Sequence, residues 1–462
     1  MGVRRQKEQL ELAFMVDDLG EARGATRQGT ETPVATKQDE SPTATERLME
    51  EVCERTNAER ALKRVRENKG SPGVDGMTVD QLGEHLKKHW PEIRGQLLAG
   101  TYKPQPVRRV EIPKPGGGMR KLGIPTVLDR FVQQAVMQVL QGRWDPTFSD
   151  HSFGFRPGRN AHQAVALAQG YIKEGYGVVV DIDLEKFFDR VNHDILMSRI
   201  ARRVSDKRML KLIRAFLNSG MMENGLVSPV TEGTPQGGPL SPLVSNLLLD
   251  ELDKELEKRG LHFVRFADDC NIYVRSERAG QRVMSSVERF LTKRLKLRVN
   301  KDKSAVGNPK DRKFLGFTFY GGSEPKRKIS DKSLDRFKTR VREITGRSRG
   351  ISIEKMVEEL AKYLRGWVGY YRHCQTPSTL RDLDSWIRRR LRCMVWKQWK
   401  RGRTRYPELR KRGIDHVTAV TMSGSAHGPW RASTSRAMGR ALPVSYFRTL
   451  GLPELRVAWI DA

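Results

Sequence analysis

Asp268 and Asp269 stand side by side within Phe263-Val264-Arg265-Phe266-Ala267-Asp268-Asp269-Cys270-Asn271-Ile272-Tyr273-Val274. Adjacent anions repel, and a hard divalent cation is the simplest counter-charge for them. An Asp-Asp pair in a turn is also ordinary, so this pair needs partners elsewhere in the chain. One is offered by Gly177-Val178-Val179-Val180-Asp181-Ile182-Asp183, an apolar run that ends in acid. Asp183 falls where a strand meets a loop, the usual place for a metal ligand, with Asp181 as its competitor. Phe188 follows five residues on, either back over the same cleft or simply in the core.

Cations and glycines flank these acids. Val107 to Ile124 reads as a hairpin with Pro115-Gly116-Gly117-Gly118 at its tip and Lys114 and Arg120 on either side. It is either a clamp on a triphosphate or an exposed hairpin with ordinary surface charge. Ser152-Phe153-Gly154-Phe155-Arg156-Pro157-Gly158-Arg159 mixes glycine, rings and cations. That mixture suits contact with a nucleic-acid strand, or a packed loop. Thr234-Pro235-Gln236-Gly237-Gly238-Pro239-Leu240 is a glycine-rich loop whose unobstructed backbone can approach a nucleotide.

The elements that must position these groups follow from periodicity. β-branched and aromatic residues flank Ala267-Asp268, which predicts a tight hairpin with Phe266 opposite Asp269. Leu261, Phe263, Cys270, Ile272 and Val274 then share one apolar face. His262, Phe266, Asn271 and Tyr273 take the other face and look into a cleft. Asn160 caps a helix to about Lys173, and another helix starts near Asn192. Ser241 caps a further helix with Pro242 at its first position, ended by Gly260. A helix over 281–297 and a strand pair around Phe314-Leu315-Gly316-Phe317-Thr318-Phe319 complete the αβ module. Beyond about 325 only helical spacing remains, as in Leu334, Phe337, Val341 and Ile344.

The chain has 462 residues and a formal net charge of +30. That excess points to a polyanionic partner, nucleic acid rather than membrane, because no run of eighteen apolar residues occurs. Between Trp386 and Arg412 there are 12 lysines and arginines against the single acid Glu408, interleaved with Trp386, Trp396 and Trp399. Cations for phosphates and rings for stacking form a nucleic-acid surface signature. The four cysteines form no close pair, which argues against a disulfide framework or a zinc site. Residues 1–44 read as a polar, disordered extension with at most a short helix from Gln9 to Val16. No apolar leader opens the chain, so the cytoplasm is its expected location.

Five motifs occur in order: Ile112 to Gly118, Asp183 to Asp189, Pro235-Gln236-Gly237, Ala267-Asp268-Asp269 and Phe314-Leu315-Gly316-Phe317. Together they resemble the reverse transcriptases encoded by bacterial group II introns, closest to the compact lineage without an endonuclease domain. Gly366-Trp367-Val368-Gly369-Tyr370-Tyr371 and the basic helices after it look like that family's maturase, or thumb, domain. The likeness covers about residues 45 to 455. It implies an α+β right-hand polymerase: fingers and palm over 45–325, an all-α thumb over 326–412, and a small DNA-binding-like domain over 413–462.

The resemblance makes Asp183, Asp268 and Asp269 the metal-binding catalytic carboxylates. Lys114 and Arg120 become triphosphate contacts, Gln236 and Gly237 part of the nucleotide pocket, and Phe188 the steric gate against a ribose 2′-hydroxyl. Arg108, Arg156, Phe266, Arg388, Arg389, Arg390, Lys397 and Lys400 are the expected nucleic-acid contacts. The family's turn usually begins with tyrosine, and here Phe266 keeps the ring without the hydroxyl. The implied chemistry is attack of a primer 3′-hydroxyl on the α-phosphate of a dNTP. Two Mg²⁺ roughly 3.5–4 Å apart would stabilise the attacking and leaving oxygens. The implied partners are RNA template with DNA primer, the parent intron RNA and target DNA. A splicing-only RNA-binding maturase and a reverse transcriptase of another prokaryotic system are the alternatives.

Overall fold

The computed structural model describes residues 46–460 except 114–117, 224–225, 229–231, 234–236 and 323. The expectations placed on 1–44, Lys114, the Pro115 to Gly117 turn and Gln236 lie outside the described residues. The rest falls into two compact units, 46–308 and 309–460.

The first unit begins with helices Leu48–Val52, Arg55–Glu67 and Leu82–Leu98. Strands β1 (Val107–Pro113) and β2 (Met119–Ile124) pair antiparallel, with Ile112 opposite Arg120. Short strands β4 (Met221–Glu223) and β5 (Leu226–Ser228) extend that sheet in the order β2-β1-β4-β5. A second sheet has the order β6-β7-β3-β8, built from β3 (Val178–Ile182), β6 (His262–Phe266), β7 (Asp269–Val274) and β8 (Ala305–Gly307). All three pairings within it are antiparallel.

Local chemistry starts the helices. Thr126 accepts from the Asp129 amide, Asn192 from the Ile195 amide, and Asn160 with Gln163 forms a reciprocal capping box. The helix expected to start at a Ser241 cap instead includes Ser241 and runs Ser241–Lys258. Pro242 still sits in its first turn, where a missing N–H is harmless. Helix Glu277–Phe290 begins four residues before the expected 281. It lies close on the sheet because Gly280 has no side chain; a Cβ there would meet Val306 Cγ1 at 2.5 Å.

Both faces of the second sheet are covered. Phe263, Cys270, Ile272 and Val274 are buried together as the alternation predicts. The opposite face corrects the expectation of an open cleft along its whole length. Asn271 and Tyr273 are buried, and Tyr171 of helix Ala161–Lys173 packs on Tyr273 with ring centroids 5.8 Å apart. Phe266 beside the turn and His262 at the far end of the face stay partly accessible.

The second unit opens with a two-stranded sheet, β9 (Phe317–Tyr320) with β10 (Lys326–Ile329). β10 lies within the stretch expected to be all-α, and by compactness this pair groups with the helices that follow. The reason is aromatic packing. Phe317 lies 5.3 Å from Tyr371 between ring centroids, and the Tyr370 hydroxyl donates to the Leu315 carbonyl at 2.8 Å. Gly316, at φ +84°, lets the Tyr371 hydroxyl approach to 2.6 Å of where a Cβ would stand. Helices Asp331–Ile344, Ile353–Tyr371 and Pro377–Gln398 follow, then short helices to Ile460.

Candidate active site

Register brings the acids together. Val180 faces Ile272, Asp181 faces Asn271 and Ile182 faces Cys270. β3 ends at Ile182 opposite Cys270; Asp183 is the next residue of its chain segment, and Asp269, paired with Phe266, directly precedes Cys270 on β7. The Ala267-Asp268 turn joins β6 to β7, as the spacing predicts. Asp183, just past the end of β3, thus leaves the sheet at the same end as the turn that carries Asp268 and Asp269.

A loop pins Asp183 there. Its amide donates to Ser304 Oγ at 2.9 Å, and its carbonyl accepts from the Asn300 amide at 2.9 Å. Its carboxylate accepts from Lys303 Nζ at 3.4 Å. Lys303 is largely exposed, so this ion pair is screened and weak. Among the described residues no three Asp, Glu, His or Cys side chains stand close enough to hold a metal ion by themselves. Mg²⁺ asks for less, since it binds through one or two carboxylates plus substrate phosphates and water. Asp183 and Asp268 are half-buried and Asp269 is exposed.

Phe188 sits in a short helix, Phe187–Arg190, entered through Lys186 at φ +48°. Phe187 is buried; Phe188 is half-buried and meets the Phe187 ring edge-on at 5.1 Å. Gly233 passes directly over this backbone at φ +91°. A Cβ there would meet the Phe188 and Asp189 carbonyl oxygens, each at 2.9 Å. Four residues on, Gly237, at φ +132°, lies on the end of β2, where a Cβ would meet the Gly123 carbonyl at 2.6 Å. Gly233 thus stands on the Phe188 backbone, and Gly237 on the hairpin that carries Arg120. Only the backbone of Arg120 is described.

The nucleic-acid candidates divide. Arg108 is half-buried on β1, and Phe266 is half-buried beside the turn. Arg156 is buried and differs from its expected role. It donates to Asp145 Oδ1 at 2.9 Å, the Asp145 carbonyl at 2.8 Å, the Ser149 carbonyl at 2.5 Å and the Ser152 carbonyl at 3.0 Å. Its guanidinium braces the loop from inside. Phe155, beside it, is 41% exposed at φ +58°, a conformation bulky residues rarely adopt.

In the second unit Trp396 and Trp399 are buried, contrary to the expectation of stacking rings on a surface. Arg405 lies over Trp396 at 4.4 Å and Arg412 over Trp399 at 5.0 Å, so these cations cover rings inside the protein. Arg390 donates to Thr345 Oγ1 at 2.7 Å, and Arg389 lies over Trp430 at 3.9 Å. Arg388 is half-buried. Lys397 and Lys400 are exposed, although Lys397 Nζ donates to the Arg347 carbonyl at 2.9 Å.

Several supporting residues escaped the sequence reading: Gly154, Gly233, Ser304, Lys303 and above all Arg265, which is 1% exposed within the apolar face. Its signal was a cation at an inward position of the strand, on the same side as Phe263.

A sheet that brings an internal strand's terminal aspartate to a two-aspartate turn is the palm arrangement of a nucleic-acid polymerase. Comparison with known proteins gives the class. Residues 112–319 match the family described as reverse transcriptase (RNA-dependent DNA polymerase), and 334–413 match the group II intron, maturase-specific domain. Protein YkfC of Escherichia coli (strain K12) is 33% identical over 289 residues, 54% of this chain and 75% of that protein. The group II intron-encoded protein LtrA of Lactococcus lactis subsp. cremoris is 39% identical over 211 residues, 44% of this chain. The chain covers 34% of LtrA's length. The putative COX1/OXI3 intron 2 protein of Saccharomyces cerevisiae is 27% identical over 319 residues, 56% of this chain and 37% of that protein.

The chain belongs to the group II intron reverse transcriptase/maturase family. It is an RNA-directed DNA polymerase with a mixed α+β right-hand fold and a maturase domain. Reverse transcriptases of this family generally use divalent metal ions. No described helix is long and apolar enough to cross a membrane.

Proposed function

We propose that the chain extends a DNA primer on an RNA template with Mg²⁺ held by Asp183, Asp268 and Asp269, and that it binds its intron RNA to promote splicing and mobility into target DNA. The observation that carries the catalytic reading is the register that puts Asp183 next to the Asp268-Asp269 turn. When bound, the metal supplies charge to the attacking hydroxyl and the leaving phosphate.

The chain's own residues do the rest. The carboxylates face the accessible end of the sheet. Lys114 and Arg120 neutralise the triphosphate from the fingers hairpin, and Gln236 with Gly237 line the nucleotide. Phe188, held by Phe187 and overlain by Gly233, fills the space a 2′-hydroxyl needs. Within the loop at 152–159 we assign the strand contact to Phe155, because Arg156 is engaged with carbonyls of its own loop. We assign fingers and palm to the first unit, and thumb and accessory DNA-binding domain to the second, where exposed Lys397 and Lys400 are offered to phosphates. We place the activity in the cytoplasm.

Asp268→Ala tests the assignment. DNA synthesis on an RNA template should vanish while RNA affinity stays near that of the parent protein. Undiminished primer extension by this variant would remove the aspartates from the mechanism.

A further inference from the structure

Arg265 is 1% exposed on a face otherwise made of Phe263, Cys270, Ile272 and Val274. A buried guanidinium is costly unless its donors are met. Here Nε and Nη2 fork onto Asp253 at 2.7 and 2.5 Å, and Asp253 is itself 0% exposed on helix Ser241–Lys258. Burial pushes the Asp253 carboxyl up, and the facing guanidinium pulls against it.

Nη1 does something a charge pair does not require. It donates to Asn246 Oδ1 at 3.0 Å and to the Ala267 carbonyl at 2.8 Å. Asn246 in turn donates from Nδ2 to the Gly154 carbonyl at 2.8 Å. Gly154 closes the ring, since a Cβ on it would collide with the Ala267 backbone. The segment before it is stitched to the same strand: the Arg265 amide donates to the His151 carbonyl and the Phe153 amide to the Arg265 carbonyl, both at 2.9 Å.

The ring surrounds one residue. Ala267 holds φ +56°, an unfavourable conformation for alanine, and the next residue is Asp268. A backbone held in such a region persists only where its surroundings over-determine it. A buried ion pair is weak evidence for stability, because apolar residues of similar size often serve as well. An apolar pair cannot donate to the Ala267 carbonyl.

We propose that Arg265 is the positioning residue of the carboxylate turn: anchored by Asp253 and Asn246, it fixes the Ala267 peptide, and through it the direction of Asp268 and Asp269. The inference rests on the reading of those aspartates as the metal-holding pair. Arg265 touches no reacting atom. It converts the rigid helix Ser241–Lys258 into a reference frame for the turn, which a site sensitive to displacements of under an ångström requires.

The test uses the full chain and two variants, Asp253→Leu/Arg265→Met and Asn246→Ala. The first keeps apolar volume and removes the donors; the second cuts one tether and leaves the ion pair. The readouts are kcat and KM for dNTP in primer extension, amide hydrogen exchange over 263–272, and thermal melting. For the double variant kcat should fall about 30-fold or more with KM within about threefold, because the defect lies in alignment rather than binding. Exchange at the turn amides should rise about tenfold while exchange in helix Glu277–Phe290 stays unchanged. Asn246→Ala should show the same pattern at about tenfold in kcat, and it decides the matter if the double variant does not fold.

Normal kcat with unchanged turn exchange in folded Asn246→Ala overturns the proposal, as does a defect confined to melting temperature. If Asp268→Ala still synthesises DNA, the underlying site assignment fails. If Asp268→Ala is inactive and Asn246→Ala is normal, only the positioning role fails.

Discussion

A single methyl group at Gly154 should disturb catalysis without touching any catalytic residue. A Cβ built there would lie 2.9 Å from Ala267 Cα and 3.0 Å from the Phe266 carbonyl carbon, and closer still to the Ala267 amide nitrogen. Ordinary contact begins at 3.4 Å, and the atoms in the way are backbone rather than a flexible side chain. Gly154→Ala must therefore move the turn by about half an ångström or more, on a scale where misplacement by about 1 Å costs ~10²-fold in rate. The expected loss is about 10- to 100-fold in single-turnover extension of a DNA primer on RNA. Overpacking adds a stability cost of about 1–3 kcal/mol, readable as a lowered melting temperature. RNA affinity should hold within about twofold, because the methyl faces inward, away from the basic surface. A Gly154→Ala protein that extends primers at the parent rate would show that the 152–154 segment does not bear on the carboxylates.

Phe188→Ala should admit ribonucleotides. A purely steric pocket rejects an added hydroxyl by at most ~10²-fold, so discrimination between dNTP and rNTP should drop by about that factor or less, measured as the ratio of kcat/KM values. Unchanged discrimination would take the gate role from Phe188. A second expectation concerns acid. Burial pushes the Asp206 carboxyl up, but the Arg208 guanidinium and the Met49 and Met209 amides outweigh it and hold the group below its ordinary range. A depressed carboxylate stabilises the fold above its unfolded pKa of about 3.9, and that contribution is lost as pH falls through the folded value. Asp206→Asn keeps the helix cap and removes the charge, so it should cost about 1–2 kcal/mol at pH 7. The difference in melting temperature should close as pH falls below about 4. A difference that stays constant down to pH 3 would contradict the linkage.

Much of the site was legible because it is local. Alternation along Phe263 to Val274 with a two-residue turn set the Phe266–Asp269 pairing that the structure contains. Local signals likewise located the cap at Asn160 and the helix start near Asn192, where a side-chain oxygen and its amide lie within one turn of helix. What escaped depends on residues distant in sequence or on which way a long side chain turns. Arg265 meets Asp253 and Asn246 on the preceding helix; alternation puts it on the Phe263 side but does not reveal these distant partners. Arg156 sits in a loop that reads as a nucleic-acid contact, yet its partners are the Asp145 carboxylate and the carbonyls of Asp145, Ser149 and Ser152. The tryptophans of 386–412 were assigned to the surface from interleaving alone, but the amphipathic arginines lie over Trp396 and Trp399 instead. Periodicity likewise does not reveal that Tyr370 and Tyr371 pack on the Phe314 to Phe319 stretch.

The most direct test of the carboxylate-and-cation account is extension of a DNA primer annealed to an RNA template by the purified chain, with four dNTPs and Mg²⁺, before and after chelation. The account predicts template-directed synthesis that stops when the chelator is added and resumes when Mg²⁺ is restored. No synthesis by the folded, RNA-binding protein at any Mg²⁺ concentration would contradict it, as would synthesis that continues unchanged in the chelator.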